Sequence, residues 1–185
     1  FDETAVDFLE DLNVPAYKIA SIELNHLPLI KKVALTGKPI ILSTGMASVS
    51  EINEASEVII SASDSKFALL KCTSTYPASA INSNIKTIPH MRQLFNCEIG
   101  LSDHTMGCGV SIASIAHGAT IIEKHFTLDR DDGGVDSTFS LEPEEMKTLV
   151  VESKRAWKSL GKINYGPTNS EKDSLKYRRS IYISR

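Results

Sequence analysis

Short β-branched and aliphatic runs that end in polar residues alternate along this chain with amphipathic stretches of helical spacing. Glu3 to Leu12 predicts a first helix with Val6, Leu9 and Leu12 on one face. Pro15 introduces the strand Tyr17-Lys18-Ile19-Ala20-Ser21. A helix over Leu27 to Leu35 is expected to stop at Gly37, which takes a left-handed cap without steric cost. Pro39-Ile40-Ile41-Leu42-Ser43 reads as the next strand, with Thr44-Gly45-Met46 as its loop. Ser48 and Glu51 have the spacing of a capping box, which opens a helix running to Ala62. Phe67 to Lys71 reads as a third strand, and Cys72 to Pro77 as its polar exit. Ile85 to Phe95 predicts a helix interrupted or restarted near Pro89. Glu98 to Leu101 is a fourth strand that leads into Ser102-Asp103-His104. Val110 to His117 is a helix capped by Gly118, and Thr120 to Glu123 a fifth strand ending at Lys124-His125-Phe126. A polar, glycine-containing gap precedes a long helix from Glu142 to Leu160, stopped by Gly161. Tyr165 to Asp173 reads as a linker, and Arg178 to Arg185 as the start of a strand.

Strand and helix in regular alternation imply parallel strands joined by crossover helices, an α/β fold. Two architectures compete, an open doubly wound sheet and a section of a (β/α)8 TIM barrel. No GxGxxG follows any of the strands, which weakens the dinucleotide-binding form of the open sheet. Polar and ionisable groups gather where the strands end, clearly in all units but the second. That is the layout of a barrel whose site is built from its βα loops. The barrel is the expected fold. The chain opens on Phe1 rather than Met and closes within a strand-like run, so both ends read as cut.

Composition narrows the function without naming it. The 185 residues are 42% hydrophobic with a formal net charge of −3, ordinary for a globular domain. No block of like charge gives a reason to expect a nucleic acid or a membrane surface. No apolar run approaches the roughly 20 residues that span a bilayer. Cys72, Cys97 and Cys108 are odd in number and have no ligand spacing, and no secretory signal is present. A reduced, cytoplasmic setting is the expectation.

The candidate chemistry lies at the strand ends. His104 follows the fourth strand and His125 the fifth. Parallel neighbours run ~4.8 Å apart, so the two imidazoles can share one divalent ion such as Mn2+ or Mg2+, with open positions for water and substrate. Two loop histidines that are merely hydrogen-bonded would look the same in sequence. His26, His90 and His117 fall on helices or their starts and read as surface or packing residues. Lys18 and Lys71 sit within or at the end of strands, where a lysine is costly unless paired or used. Each is open to three readings: an anion clamp, a Schiff base, or a salt bridge to Glu23 or Glu123. Ser21, Ser43, Thr44, Ser74 and Ser102 place hydroxyls at four strand ends, as caps or as the donor ring of a small anion site. Asp136, in the loop after the last strand, reads as a substrate contact or a solvated turn. Tyr76 reads as a sugar-lining or rim residue.

Five segments, in this order and spacing, resemble the sialic acid synthase family over nearly the whole chain. They are Pro15-Ala16-Tyr17-Lys18-Ile19-Ala20-Ser21, Ile41-Leu42-Ser43-Thr44-Gly45-Met46-Ala47, Leu70-Lys71-Cys72-Thr73-Ser74-Thr75-Tyr76-Pro77, Gly100-Leu101-Ser102-Asp103-His104-Thr105 and Ile122-Glu123-Lys124-His125-Phe126-Thr127-Leu128-Asp129-Arg130. The resemblance implies that residues 1–161 are the carboxy-terminal part of a TIM barrel, its fourth to eighth strands. Residues 162–185 would be a linker and the start of an antifreeze-like domain, in a protein that forms a homodimer. It implies that carbon 3 of phosphoenolpyruvate attacks the aldehyde of an N-acetylated amino sugar, while water attacks C2 and phosphate leaves. It places a divalent metal on His104 and His125, phosphoenolpyruvate on Lys18, Ser21, Ser43, Ser74 and Ser102, and sugar contacts on Glu23, Tyr76 and Asp136, with Glu23 and Asp136 in catalytic roles. Family members carry either Asn or Ser at the Ser74 position. The family's first-strand glutamate and second-strand lysine fall before residue 1.

Within that family, N-acetylneuraminate and legionaminate synthases tend to carry a GPDHxxSLEP-like stretch. This chain has Gly133-Gly134-Val135-Asp136-Ser137-Thr138-Phe139-Ser140-Leu141-Glu142-Pro143. That stretch is more similar to the pseudaminic acid synthases, as are Lys71-Cys72-Thr73-Ser74 and Arg178-Arg179-Ser180-Ile181-Tyr182. The sugar implied is 2,4-diacetamido-2,4,6-trideoxy-altrose. The rivals are an N-acetylneuraminate or legionaminate synthase, a lysine Schiff-base aldolase using Lys18 or Lys71, and an inactive barrel fragment.

Overall fold

The computed structural model describes residues 2–178. Five parallel strands lie side by side in chain order: β1 Tyr17–Ile19, β2 Ile40–Ser43, β3 Phe67–Cys72, β4 Glu98–Asp103 and β5 Ile122–Lys124. Helices α1 Glu3–Asp11, α2 Leu27–Leu35, α3 Val49–Ala62, α4 Thr87–Phe95, α5 Gly109–Ala116 and α6 Pro143–Ser159 alternate with them. Together they form part of a (β/α) barrel. Among the described residues, no helix is long and apolar enough to cross a membrane.

Local signals set the helix ends. The Ser48 hydroxyl accepts from the Glu51 N–H at 3.3 Å, and the Glu51 carboxylate accepts from the Ser48 N–H at 2.7 Å, the expected capping box. Gly37 stands at φ 74° just past α2, where a side chain would be strained. Pro89 does not interrupt α4. It occupies the first turn, where no intrahelical N–H bond is lost. β1 is shorter than its sequence pattern implies, because Ser21–Glu23 turns into a 310 segment. β4 is longer and takes in Ser102 and Asp103. The linker expected from Tyr165 to Asp173 contains the start of an exposed 310 segment, Asn169–Tyr177. The strand-like run after Arg178 lies outside the described residues.

Alternation along each strand sorts the residues onto two faces. Tyr17, Ile19, Ile40, Leu42, Leu69, Ile99 and Leu101 point outward into a core completed by Val6, Ile30, Val33, Ile52, Ala55, Ile59, Ile88 and Met91 of the helices. The opposite face carries Lys18, Ile41, Ser43, Leu70, Cys72, Gly100, Ser102 and Glu123. The sheet curls enough for Lys18 of β1 to reach Glu123 of β5 across this inner face, with Nζ 3.5 Å from the carboxylate. The outer face therefore holds the fold, and the inner face is left for chemistry. An apolar cavity of about 840 Å3 runs from this inner face to α6, lined among others by Ile41, Leu70, Glu123, Met146, Leu149 and Trp157. It contains neither His104 nor His125.

At Gly100 the chain entering β5 lies close against β4. A Cβ there would lie 2.4 Å from the Ile121 carbonyl oxygen and 2.6 Å from Leu70 Cδ2. Gly100→Ala is therefore expected to destabilise the chain by roughly 1–3 kcal/mol, the range for an overpacked core, read from urea unfolding midpoints. An unchanged midpoint would contradict this packing.

Candidate active site

The site collects at the carboxy-terminal ends of the strands. His104 and His125 are the first residues after β4 and β5, and their ring centroids lie 5.1 Å apart. The Ala78 N–H donates to the His104 carbonyl at 2.9 Å, folding the β3–α4 loop over the end of β4. This brings the Tyr76 ring to 4.3 Å from His104 and 5.9 Å from His125. The loop after β5 folds back in a similar way. The Leu141 N–H donates to the His125 carbonyl at 2.9 Å, and the Thr127 N–H to the Leu141 carbonyl at 3.0 Å. Arg130 fastens the loop through the Ser140 carbonyl and the carboxylates of Glu142 and Glu145. Phe139 then lies 5.0 Å from the His125 ring, and an Asp136 oxygen 3.5 Å from His125 Nδ1.

The histidines differ in setting. His104 Nδ1 lies 3.1 Å from the Thr73 carbonyl, which can only accept. In the neutral ring this places the proton on Nδ1 and leaves the lone pair on Nε2. Burial pushes His104 down, but the Cys72 sulfur and the Thr73 carbonyl outweigh it and hold the ring above its ordinary pKa. Burial and the neighbouring His104 hold His125 below the usual range, with the Asp136 carboxylate opposing them. A neutral imidazole is the ligand form. His104 and His125 offer two imidazole donors, so a divalent ion held here would take its other ligands from water and substrate. Among the described residues, no group of three or more His, Cys, Asp or Glu is placed to hold a metal ion by itself.

Next to the histidines is a knot of hydroxyls around Cys72. Gly45 makes room for it. A Cβ on Gly45 would meet Ser74 Oγ at 2.2 Å, Ser21 Oγ at 2.8 Å and Cys72 Sγ at 3.2 Å. The Gly45 N–H donates to Ser21 Oγ at 3.0 Å, and Ser102 Oγ donates to Glu123 at 2.7 Å. Burial raises the Cys72 thiol, but hydrogen bonds from His104, Ser21, Ser74 and Ser102 outweigh it and hold it at about 7. Ser43 Oγ is buried and has no hydrogen-bond partner among the described residues, a cost a native site rarely carries without a use.

The residues expected at the site fall into groups. Tyr76, His104, His125 and Asp136 form one cluster, and Ser21 and Ser74 meet around Cys72. Ser102 and Lys18 both engage Glu123. Lys18 thus makes one of the salt bridges open to it, and its Nζ also donates to the Ile19 carbonyl at 2.9 Å. Glu23 is anchored in the turn after β1, where it accepts the Ala20 N–H at 2.7 Å. Lys71 alternates with Cys72 and so faces away from the histidines, donating to Thr73 Oγ1 at 3.2 Å and to the Cys72 carbonyl at 2.8 Å. Cys72 was not among the residues expected at the site, because the sequence reads as if the strand ends at Lys71. Extending the strand by one residue puts the thiol on the inner face.

A family model, the NeuB family, matches residues 1–165. The chain belongs to the NeuB family. It is 44% identical to an uncharacterized protein of Methanocaldococcus jannaschii, over 97% of this chain and 54% of that protein. It is 39% identical to the N,N'-diacetyllegionaminic acid synthase of Campylobacter jejuni, over 100% of this chain and 56% of that enzyme. The pseudaminic acid synthase of the same organism is 38% identical, over 100% of this chain and 54% of the enzyme. Among solved structures, the N-acetylneuraminic acid synthetase of Leptospira borgpetersenii superposes with a TM-score of 0.88 at 38% identity, over 98% of this chain and 63% of that one. This NeuB-family chain spans about half the length of the curated relatives it matches.

The cysteine environment can be measured directly. Burial pushes the Cys97 thiol up to about 11, and burial also raises Cys108, so only Cys72 should ionise near neutrality. The thiolate ultraviolet absorbance is expected to rise with a midpoint near the Cys72 value of about 7. His104→Ala removes the largest of the influences that lower this value and should move the midpoint upward. A wild-type midpoint at the ordinary thiol value would contradict the arrangement.

Proposed function

We propose that the full-length protein is a nonulosonic acid synthase that condenses phosphoenolpyruvate with an N-acetylated amino-sugar aldehyde and releases phosphate. The observation that carries this reading is the pair of imidazoles set 5.1 Å apart beside a ring of converging hydroxyls. One half of that arrangement suits an aldehyde oxygen, and the other suits a phosphate and a carboxylate.

Each group has a task. Ser21, Ser74 and Ser102 offer hydroxyl donors to the anion, and the unpartnered Ser43 hydroxyl is a further donor. Lys18 already lies over the inner face, held by Glu123, and an anion bound there competes for its charge. His104 and His125 are the ligands proposed for a divalent ion, Mn2+ or Mg2+. When bound, the ion would supply Lewis-acid polarisation of the aldehyde. Asp136, beside His125, is placed to orient that ring and to accept from sugar hydroxyls. Glu23 and Tyr76 are the further residues proposed to contact the sugar. Carbon 3 of phosphoenolpyruvate forms the new bond to the aldehyde carbon, whose oxygen takes up a proton. Water adds at C2, and the C2–O bond to phosphate breaks to leave the keto acid. Lys71 faces away from this site, which disfavours a Schiff base there.

Within the family, we assign the sugar as 2,4-diacetamido-2,4,6-trideoxy-altrose, with pseudaminic acid as product. This rests on the Gly133–Phe139 segment. Phe139 sits against His125 and 6.0 Å from Tyr76, an apolar wall suited to a 6-deoxy carbon. A site whose polar groups await a second acetamido group should reject a sugar that lacks it.

Phosphate release from phosphoenolpyruvate, assayed with each sugar in parallel, tests both levels. The full-length gene product is expected to prefer the diacetamido-trideoxy sugar over N-acetylmannosamine by roughly 100-fold in kcat/KM, as for a lost buried hydrogen-bond set. His104→Ala and His125→Ala should each abolish turnover. A preference for N-acetylmannosamine would overturn the pseudaminic assignment alone. Full activity in both histidine variants would overturn the proposed chemistry.

A further inference from the structure

Behind the two histidines, on the opposite face of the pleat, lies a buried ion pair that the proposed reaction does not use. β4 and β5 pair with Ser102 opposite Glu123 and Asp103 opposite Lys124. Alternation turns Ser102 and Glu123 inward, where they hydrogen-bond. It turns Asp103 and Lys124 outward beneath α5, with their side chains 1% and 2% exposed. His104 and His125 are the next residue on each strand.

Both partners are hydrogen-bonded beyond the ion pair itself. One Asp103 oxygen accepts the Thr105 N–H at 2.9 Å and the Thr105 hydroxyl at 2.7 Å. The other accepts the Ser111 hydroxyl at 2.5 Å and Lys124 Nζ at 3.0 Å. Lys124 Nζ also donates to the Thr105 carbonyl. The side chain of the residue before His104 thus binds the backbone N–H of the residue after it, and the ammonium of the residue preceding His125 joins both.

Stability is a weak reason for such a pair. Desolvating two charges is expensive, and well-packed apolar residues of similar volume often hold a fold as well or better. An apolar contact, however, is not directional and would let two strand ends slide relative to each other. Charged hydrogen bonds fix height and spacing together.

We propose that Asp103 and Lys124 are positioning residues that set the spacing and orientation of the His104–His125 pair. The inference rests on the reading of these histidines as metal ligands. Neither side chain touches the inner face, so both act through the backbone. Partners that orient ligands in this way typically change metal affinity by about 10–100-fold when removed.

The test compares this chain with Asp103→Leu/Lys124→Met, which removes both charges together and leaves no lone buried charge. Mn2+ binding is followed by electron paramagnetic resonance, imidazole 15N shifts by NMR in the metal-free protein, and stability by thermal unfolding. The double variant is expected to melt close to wild type yet bind Mn2+ at least about tenfold more weakly, with both imidazole signals shifted. A structural role alone would leave the affinity and the signals in place. Wild-type affinity with unshifted signals would overturn the proposal. Should the double variant not fold, Asp103→Asn/Lys124→Met, which keeps the shape of both side chains and removes both charges, carries the same comparison with the same expected and contrary results. Failure of the metal reading shows differently, as a wild-type chain that takes up no Mn2+. The metal-free imidazole signals then still decide the positioning claim.

Discussion

Parallel pairing of β4 with β5 fixes what the rest of the site can be. The register places Ser102 beside Glu123 and Asp103 beside Lys124, so the next residues, His104 and His125, emerge side by side on the inner face. A slip of one residue in either strand would turn one histidine outward into the helix layer. The close approach at Gly100 and the Asp103–Lys124 pair both act at this junction, one through sterics and the other through charge. The imidazole separation therefore belongs to the sheet and not to flexible loops.

The loops complete the geometry because their own backbone bonds tie them to the strand ends. Ala78 donates to the His104 carbonyl and Leu141 to the His125 carbonyl. These bonds bring Tyr76, Phe139 and Asp136 around the ring pair from opposite sides. The division of labour between sheet faces follows from the same pleat. Aliphatic side chains pack outward against the helices, so the inner face can carry lysine, glutamate, thiol and hydroxyls that a core would not tolerate. Cys72 and Lys18 illustrate the consequence. The first is lowered by the hydroxyls and imidazole around it, and the second spans the inner face to Glu123.

Much of this was legible in the sequence, for identifiable reasons. Hydrophobic runs interrupted by amphipathic stretches marked all five strands and six helices, and the Ser48–Glu51 box and Gly37 marked helix ends by local chemistry alone. His104 and His125 were legible as a pair because each follows a strand directly. Strand ends were less so. β1 stops at Ile19 because Ser21 enters a turn capped by Glu23, and β4 runs on to Asp103 because its polar residues find partners on β5 and α5. Those partners are distant in sequence, so no local pattern announces them. The same holds for the role of Cys72, whose neighbours come from four separate segments. The face occupied by Lys71 became evident only once the extent of β3 was known.

The account depends on His104 and His125 sharing one divalent ion at the strand ends. Anomalous X-ray scattering from crystals of the protein grown with Mn2+ addresses this most directly. The account predicts a peak between the two imidazoles, roughly 2.0–2.3 Å from a ring nitrogen of each, with its remaining positions open to water. A well-occupied peak held by other residues, with none between His104 and His125, would contradict it.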